Sequence, residues 1–161
     1  MPRSRNAAPG ATPSRRSLTS GMAAVAFALA TRGTPVRADD DQVAMTIAEI
    51  TGGAIVTPGR VTVDMPALAE NGNAVPLNVV VDSPMTAGDH VKAIHVISEK
   101  NPVARILTVQ LGPRAGRARI GATVRLATTQ TVTVLAEMSD GRFWSGTQDV
   151  VVTIAACLDS G

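Results

Sequence analysis

Hydrophobic and polar positions divide the chain into one short helical segment followed by a succession of strands. Val43, Ile47 and Ile50 recur at the spacing of a helix face. The acidic run Asp39-Asp40-Asp41 supplies an N-terminal cap, and Gly52-Gly53 interrupts the pattern after Ile50. The pattern therefore predicts a helix that begins in the acidic run and ends before the two glycines.

After Pro58-Gly59 the apolar residues alternate with period two or form β-branched runs, which is typical of strands. The Ser139-Asp140-Gly141-Arg142 segment between two such runs indicates a hairpin. About seven short strands without intervening helices predict an all-β, immunoglobulin-like antiparallel β-sandwich with a short N-terminal helix. The predicted strands are Arg60–Asp64, Leu77–Asp82, Val91–Ser98, Val103–Gln110, Arg117–Leu126, Thr131–Met138 and Val150–Ala155.

The first 38 residues have the order of an export signal. Arg15-Arg16 precedes the apolar stretch GMAAVAFALA of residues 21–30, and Val36-Arg37-Ala38 resembles a cleavage site. The paired arginines favour twin-arginine export, although Leu18 and Thr19 differ from the residues most usual after them. We therefore expect residues 1–38 to be a cleavable signal peptide and residues 39–161 to form one mature domain in the periplasm.

The charge of the chain is divided between these two parts. Six arginines and no acidic residue lie in residues 1–38, so the later nine Lys and Arg face all 13 Asp and Glu, a net charge of −4. An acidic domain with 2% aromatic residues is a poor candidate for nucleic-acid binding. No apolar run is long enough to predict insertion into a membrane.

Few side chains are candidates for chemistry. His90 is predicted in a turn and His95 in a strand, and their spacing places them on opposite faces, which is unfavourable for a shared metal. We therefore predict structural roles for both histidines and no metal or other cofactor. Trp144 is expected to pack in the core or at an interface.

Cys157 is the single cysteine, and it follows the last predicted strand. An unpaired cysteine in an exported protein indicates a reactive thiol, an intermolecular bond or a small buried apolar residue. The nearby Asp159 would raise the thiol pKa and so lower the thiolate fraction. The residues alone leave these interpretations open.

Several stretches of the sequence resemble one family. They are LAENGNAVP at 68–76, VDSPMT at 81–86, LGPRAGRA at 111–118, AEMSDG at 136–141 and VTI at 152–154. From about Ala38 to Ala156 the chain is similar to SoxY, the sulfur-carrier subunit of periplasmic thiosulfate oxidation. The twin-arginine leader also fits that family.

The resemblance implies a non-enzymatic carrier with an immunoglobulin-like fold, in which Cys157 receives the sulfur. It implies a heterodimer with a SoxZ-like subunit. Transient docking is implied with a haem protein of the SoxAX type, a hydrolase of the SoxB type and an oxidising enzyme of the SoxCD type. A sulfur nucleophile is suited to this role because its S–S bonds form and break stepwise.

The predicted carrier arm differs from the family pattern. SoxY proteins typically end in Gly-Gly-Cys-Gly-Gly, whereas the residues around Cys157 are Ala155, Ala156, Leu158, Asp159, Ser160 and Gly161. Alanine lacks the backbone freedom of glycine, so the arm is expected to be stiffer. Three interpretations remain: a carrier with matched partner enzymes, a carrier of another sulfur compound, or a SoxY paralogue that is only a SoxZ-binding scaffold.

Overall fold

A computed structural model of the chain describes residues 38–156, with side chains from Asp41 onward. The predicted signal peptide of residues 1–38 therefore lies outside the described residues except for Ala38. Helix α1 spans Ala38–Thr51, as the helical pattern predicts. Among the described residues, no helix is long and apolar enough to cross a membrane.

Nine strands follow the helix in the described part of the chain. Their bounds are β1 Val56–Pro58, β2 Val61–Asp64, β3 Leu68–Asn71, β4 Val75–Val81, β5 Val91–Ser98, β6 Arg105–Gln110, β7 Arg119–Val124, β8 Gln130–Met138 and β9 Phe143–Ile154. A 3-10 turn over Pro113–Ala115 lies between β6 and β7. All seven predicted strands are present, and β5 has the predicted bounds.

The strands form two sheets. The larger one has the order β1-β9-β8-β5-β6, with β3 also paired to β9, and the smaller one has the order β2-β4-β7. Most neighbours are antiparallel, but β1 and β3 both run parallel to β9. The all-β sandwich with a short N-terminal helix is confirmed.

The core lies between the sheets because alternate residues of both sheets point inward. On β5, β8 and β4 these inward residues are fully buried, as at Ile94, Val96, Val134 and Val79. A second, smaller cluster lies on the opposite side of β5 and β8. There Ile97 and Leu135 pack with the half-buried Val43 and Ile47 of α1, so the helix covers part of the outer face of the larger sheet.

Three segments differ from the predicted strands. β1 is a three-residue strand, and β3 includes Glu70 and Asn71, residue types that are uncommon in strands. β9 begins at Phe143, well before the predicted start at Val150, because its first half pairs with β8 along the hairpin. In each case pairing with another strand outweighs the local preference of the residues.

Candidate functional site

The structure describes only the first two residues of the predicted carrier arm. Ala155 is exposed and Ala156 is buried. Cys157, Leu158, Asp159, Ser160 and Gly161 lie outside the described residues. The part of the site that the structure describes is therefore the base of the arm, from the end of β9 to Ala156.

The last part of β9 is held on one side by β3. Leu68 pairs with Val151 and Asn71 with Ile154 in parallel register. The hydroxyl of Thr153 donates a hydrogen bond of 2.9 Å to the carbonyl oxygen of Glu70. This pairing continues the strand beyond Val150, where its register with β8 ends.

On the other side of β9, the pairing with β8 ends at Val150, and beyond it the side chain of Thr129 bonds to the backbone of β9. The Thr129 hydroxyl accepts a hydrogen bond of 3.0 Å from the Val152 amide and lies 3.5 Å from the Val152 carbonyl oxygen. Both edges of β9 are thus bonded up to the residues that precede the arm.

Beyond Ile154 the backbone is fixed by Gly72, Leu126, Ile154 and Ala156, which we call the arm-base clamp. The Gly72 amide donates to the Ile154 carbonyl, and the Gly72 carbonyl accepts from the Leu126 amide, each at 2.8 Å. The Leu126 carbonyl in turn accepts a hydrogen bond of 3.3 Å from the Ala156 amide. Three segments that are distant in sequence therefore meet directly before Cys157.

The buried side-chain amide of Asn101 stabilises the arm-base clamp. Asn101 donates through Nδ2 to the Arg125 carbonyl at 2.9 Å and accepts through Oδ1 from the Ala127 amide at 2.9 Å. These two bonds fix the backbone on both sides of Leu126. Gln130 completes the network, since its Nε2 lies 3.2 Å from Asn101 Oδ1.

The two histidines do not converge on a shared site. His90 Nδ1 lies 3.1 Å from the Thr86 carbonyl oxygen, and His95 Nδ1 lies 3.2 Å from the Thr108 hydroxyl. Within residues 41–156, no group of three or more histidine, cysteine and acidic side chains is placed to bind a metal ion. Both histidines are in the turn and the strand that the sequence predicts.

His95 is in a desolvated environment. Its side chain is buried, and Nε2 has no hydrogen-bond partner among the described residues. Burial lowers the pKa of His95 below the ordinary value for histidine, and the charge of Arg105 acts in the same direction. The carboxylate of Glu137 raises the pKa but does not reverse the shift.

Gly72, Leu126 and Asn101 are site residues that sequence reasoning missed. Gly72 lies within the LAENGNAVP stretch, but its local pattern indicates only a turn. The strand pattern that begins at Arg117 ends at Leu126, and Asn101 precedes Pro102 in a segment whose residues favour a turn. Their contribution to the arm base depends on contacts between distant segments, which local patterns do not reveal.

One protein-family profile matches the sequence. The profile described as "Sulfur oxidation protein SoxY" matches residues 47–157, so the matched region includes Cys157 as its last residue. No curated protein matches the sequence.

Solved structures with this fold include a carrier and two reductases. The sulfur carrier protein SoxY from Chlorobium limicola f thiosulfatophilum is 23% identical, with a TM-score of 0.60 over 71% of this chain and 98% of that protein. Superoxide reductase (neelaredoxin) from Ignicoccus hospitalis is 14% identical, with a TM-score of 0.52 over 58% and 80% of the two chains. Superoxide reductase from Nanoarchaeum equitans is 7% identical, with a TM-score of 0.51 over 60% and 100%. At these identities each similarity shows a shared fold.

Proposed function

This chain belongs to the SoxY family of sulfur oxidation proteins, and on that basis we propose that it carries sulfur intermediates covalently on the thiol of Cys157. The observation that carries the proposal is the family match, which extends over the folded domain and ends on the chain's single cysteine. The clamp supports it, because a well-anchored base followed directly by a thiol suits a group that is presented to other proteins.

The carrier cycle begins with an oxidation at the thiol. Cys157–SH and thiosulfate form Cys157–S–S–SO3⁻, with release of one proton and two electrons. A SoxAX-like haem enzyme accepts the electrons. A SoxB-like hydrolase then uses water to cleave the bond between the outer sulfur and the sulfonate group, which leaves the persulfide anion Cys157–S–S⁻ and releases sulfate and two protons. In this cycle the chain supplies the thiol and its position, and the partner enzymes supply the reactions.

We further propose a SoxZ-like subunit as the stable partner and the periplasm as the compartment. The leader with paired arginines at Arg15-Arg16 supports export of the folded protein. Co-purification of a SoxZ-like chain with the mature protein would support the heterodimer, and a monomer at micromolar concentration in the presence of that chain would contradict it.

The experiment that tests carriage is intact-mass measurement of the mature protein from its own periplasm, with and without thiosulfate in the medium. We expect adducts that reducing agent removes, and we expect Cys157→Ser to abolish them without altering the circular dichroism spectrum. An unmodified thiol under both conditions, with the SoxZ-like chain still bound, would contradict carriage and favour a scaffold paralogue.

A further inference from the structure

We infer that Gly72 is a positioning residue for the carrier arm, because only a residue without a side chain lets the backbone before Cys157 reach its anchored place. The consequence for sulfur transfer rests on the proposed carrier function. The anchoring itself is a property of the folded domain and is measured independently below.

Space, rather than backbone conformation, is what requires glycine at position 72. A Cβ atom there would lie 2.4 Å from the Leu126 carbonyl oxygen and 2.9 Å from the Ala156 nitrogen. These two neighbours are backbone atoms, so neither moves away by a side-chain rotation; the next nearest atom, Cγ1 of Val152, would lie 3.0 Å away. Since the φ angle of Gly72 is not among the positive ones, an alanine would be opposed by these contacts and not by its own dihedral angles.

An alanine at position 72 would disturb Ala156 in two ways, because its Cβ would press on the Leu126 carbonyl oxygen that accepts the Ala156 hydrogen bond and would also crowd the Ala156 nitrogen. Gly72 is held by its bonds to Ile154 and Leu126 and by the adjoining turn, in which Asn71 Oδ1 accepts from the Asn73 amide at 2.9 Å. Leu126 is fixed on both sides by Asn101. Ala156 is held by a longer bond of 3.3 Å and lies beyond the end of β9. The bond from Ala156 to Leu126 is therefore the longest of the three in the clamp, and both contacts of the added Cβ act on it.

Displacing Ala156 moves the start of the arm and with it Cys157, but it does not change the intrinsic reactivity of the thiol. A partner enzyme that binds the folded domain would still dock, yet it would receive Cys157 away from its reacting position. Misplacement of a reacting group by about 1 Å lowers enzymatic rates by about 100-fold. The loss is expected in kcat, while KM for the carrier is preserved.

The matched control is Gly146, which lies in the first half of β9. A Cβ atom at Gly146 would lie 2.3 Å from the Val61 carbonyl oxygen, a clash as severe as that at Gly72 but against β2 instead of the arm base. Gly146→Ala therefore reports what general strain in β9 does to the protein. Ala156→Pro is a second test variant, because it removes the donor to Leu126 without adding an atom at position 72.

The experiment uses the full mature protein with its SoxZ-like partner. Amide exchange of the segment that contains Ala156 is measured for each variant, together with loading of Cys157 by the SoxAX-like enzyme. Tetrathionate serves as the chemical probe, since the thiolate displaces thiosulfate from it and forms the same Cys157–S–S–SO3⁻ adduct without an enzyme.

In Gly72→Ala and Ala156→Pro we expect faster exchange confined to the arm base. We also expect kcat for enzymatic loading to fall by at least about tenfold, with KM and the tetrathionate rate within about twofold of wild type. Gly146→Ala should leave the exchange at Ala156 and this kcat close to wild type.

The inference is wrong if Gly72→Ala and Ala156→Pro load at the wild-type kcat, or if Gly146→Ala lowers kcat equally. A wild-type protein that accepts no adduct from the enzyme would instead contradict the proposed carrier function, and the exchange data would still decide the role of Gly72.

Discussion

The guanidinium of Arg60 lies over the indole of Trp144, with Cζ 5.0 Å from the ring centroid. Arg60 achieves this in the left-handed region, at a φ of 57°, which is unusual for a residue with a side chain. Arg60 Nη1 and Trp144 Nε1 are both buried and have no hydrogen-bond partner among the described residues. The stacked cation therefore connects the β1–β2 turn to β9.

We expect Arg60→Ala to lower the free energy of unfolding by about 1 kcal/mol, because it removes the cation–π contact and keeps the left-handed backbone. Arg60→Gly should lower it by less, since glycine adopts positive φ without strain. Urea unfolding followed by fluorescence tests this, because Trp144 is the single tryptophan of the chain. Equal losses in the two variants would show that the backbone at Arg60 is unstrained.

A second prediction concerns pH and His95. The pKa of His95 in the folded protein is lowered from its ordinary value of 6.5, mainly by burial, so the unfolded chain binds a proton more readily than the folded one. Stability is therefore complete above about pH 6.5 and falls as the pH decreases toward the lower folded pKa, by at most about 1.4 kcal/mol per pH unit.

His95→Gln should remove this part of the pH dependence, because glutamine does not titrate. The measurement is the urea midpoint of wild type and variant between neutral and mildly acidic pH. The charged groups that act on His95 are Glu137, which pairs with Lys92, and Arg105, which pairs with Glu49, and they are present in both proteins. An unchanged slope in the variant would mean that His95 does not contribute.

The sequence predicts the sandwich more fully than it predicts the arm base. Strands such as Val91–Ser98 are rich in β-branched residues and almost wholly buried, so local preference and burial favour the same structure. Glu70 and Asn71 are residue types that are uncommon in strands, and they are in β3 because β9 offers a parallel partner. The arm-base clamp is harder to predict from the sequence, because the need for glycine at position 72 arises from the backbone of Leu126 and Ala156.

The side chain of Asn101 gives a third prediction. It is buried and satisfies the backbone on both sides of Leu126. Asn101→Ala leaves the partly buried Arg125 carbonyl and Ala127 amide without these partners, so we expect a loss of about 2 kcal/mol in the free energy of unfolding. Asn73→Ala is the control, since Asn73 lies in an exposed turn, and it should lose less than about 1 kcal/mol. Similar losses in both variants, measured by urea unfolding, would contradict the bracing role.

The alanines before Cys157 allow the anchoring to be measured one residue at a time. Ala155 is exposed, whereas Ala156 is buried and bonded to Leu126. Ala155→Gly should lower the free energy of unfolding by at most about 0.5–1 kcal/mol, through backbone entropy alone. Ala156→Gly also removes a buried methyl group worth about 0.8 kcal/mol, so its loss should be about 1.5 kcal/mol.

The same two variants test whether a stiffer arm limits loading of Cys157. Ala155 lies inside the clamp, between Ile154 and Ala156. If enzymatic delivery requires freedom in the backbone that leads to the thiol, Ala155→Gly should load at the wild-type rate or faster, because it adds that freedom and leaves the bond from Ala156 to Leu126 intact. Ala156→Gly should load more slowly, because it weakens the anchor itself. Intact-mass time courses with the SoxAX-like enzyme measure both rates. Equal stability losses together with equal loading rates would mean that Ala156 is no better anchored than Ala155, which would contradict the clamp.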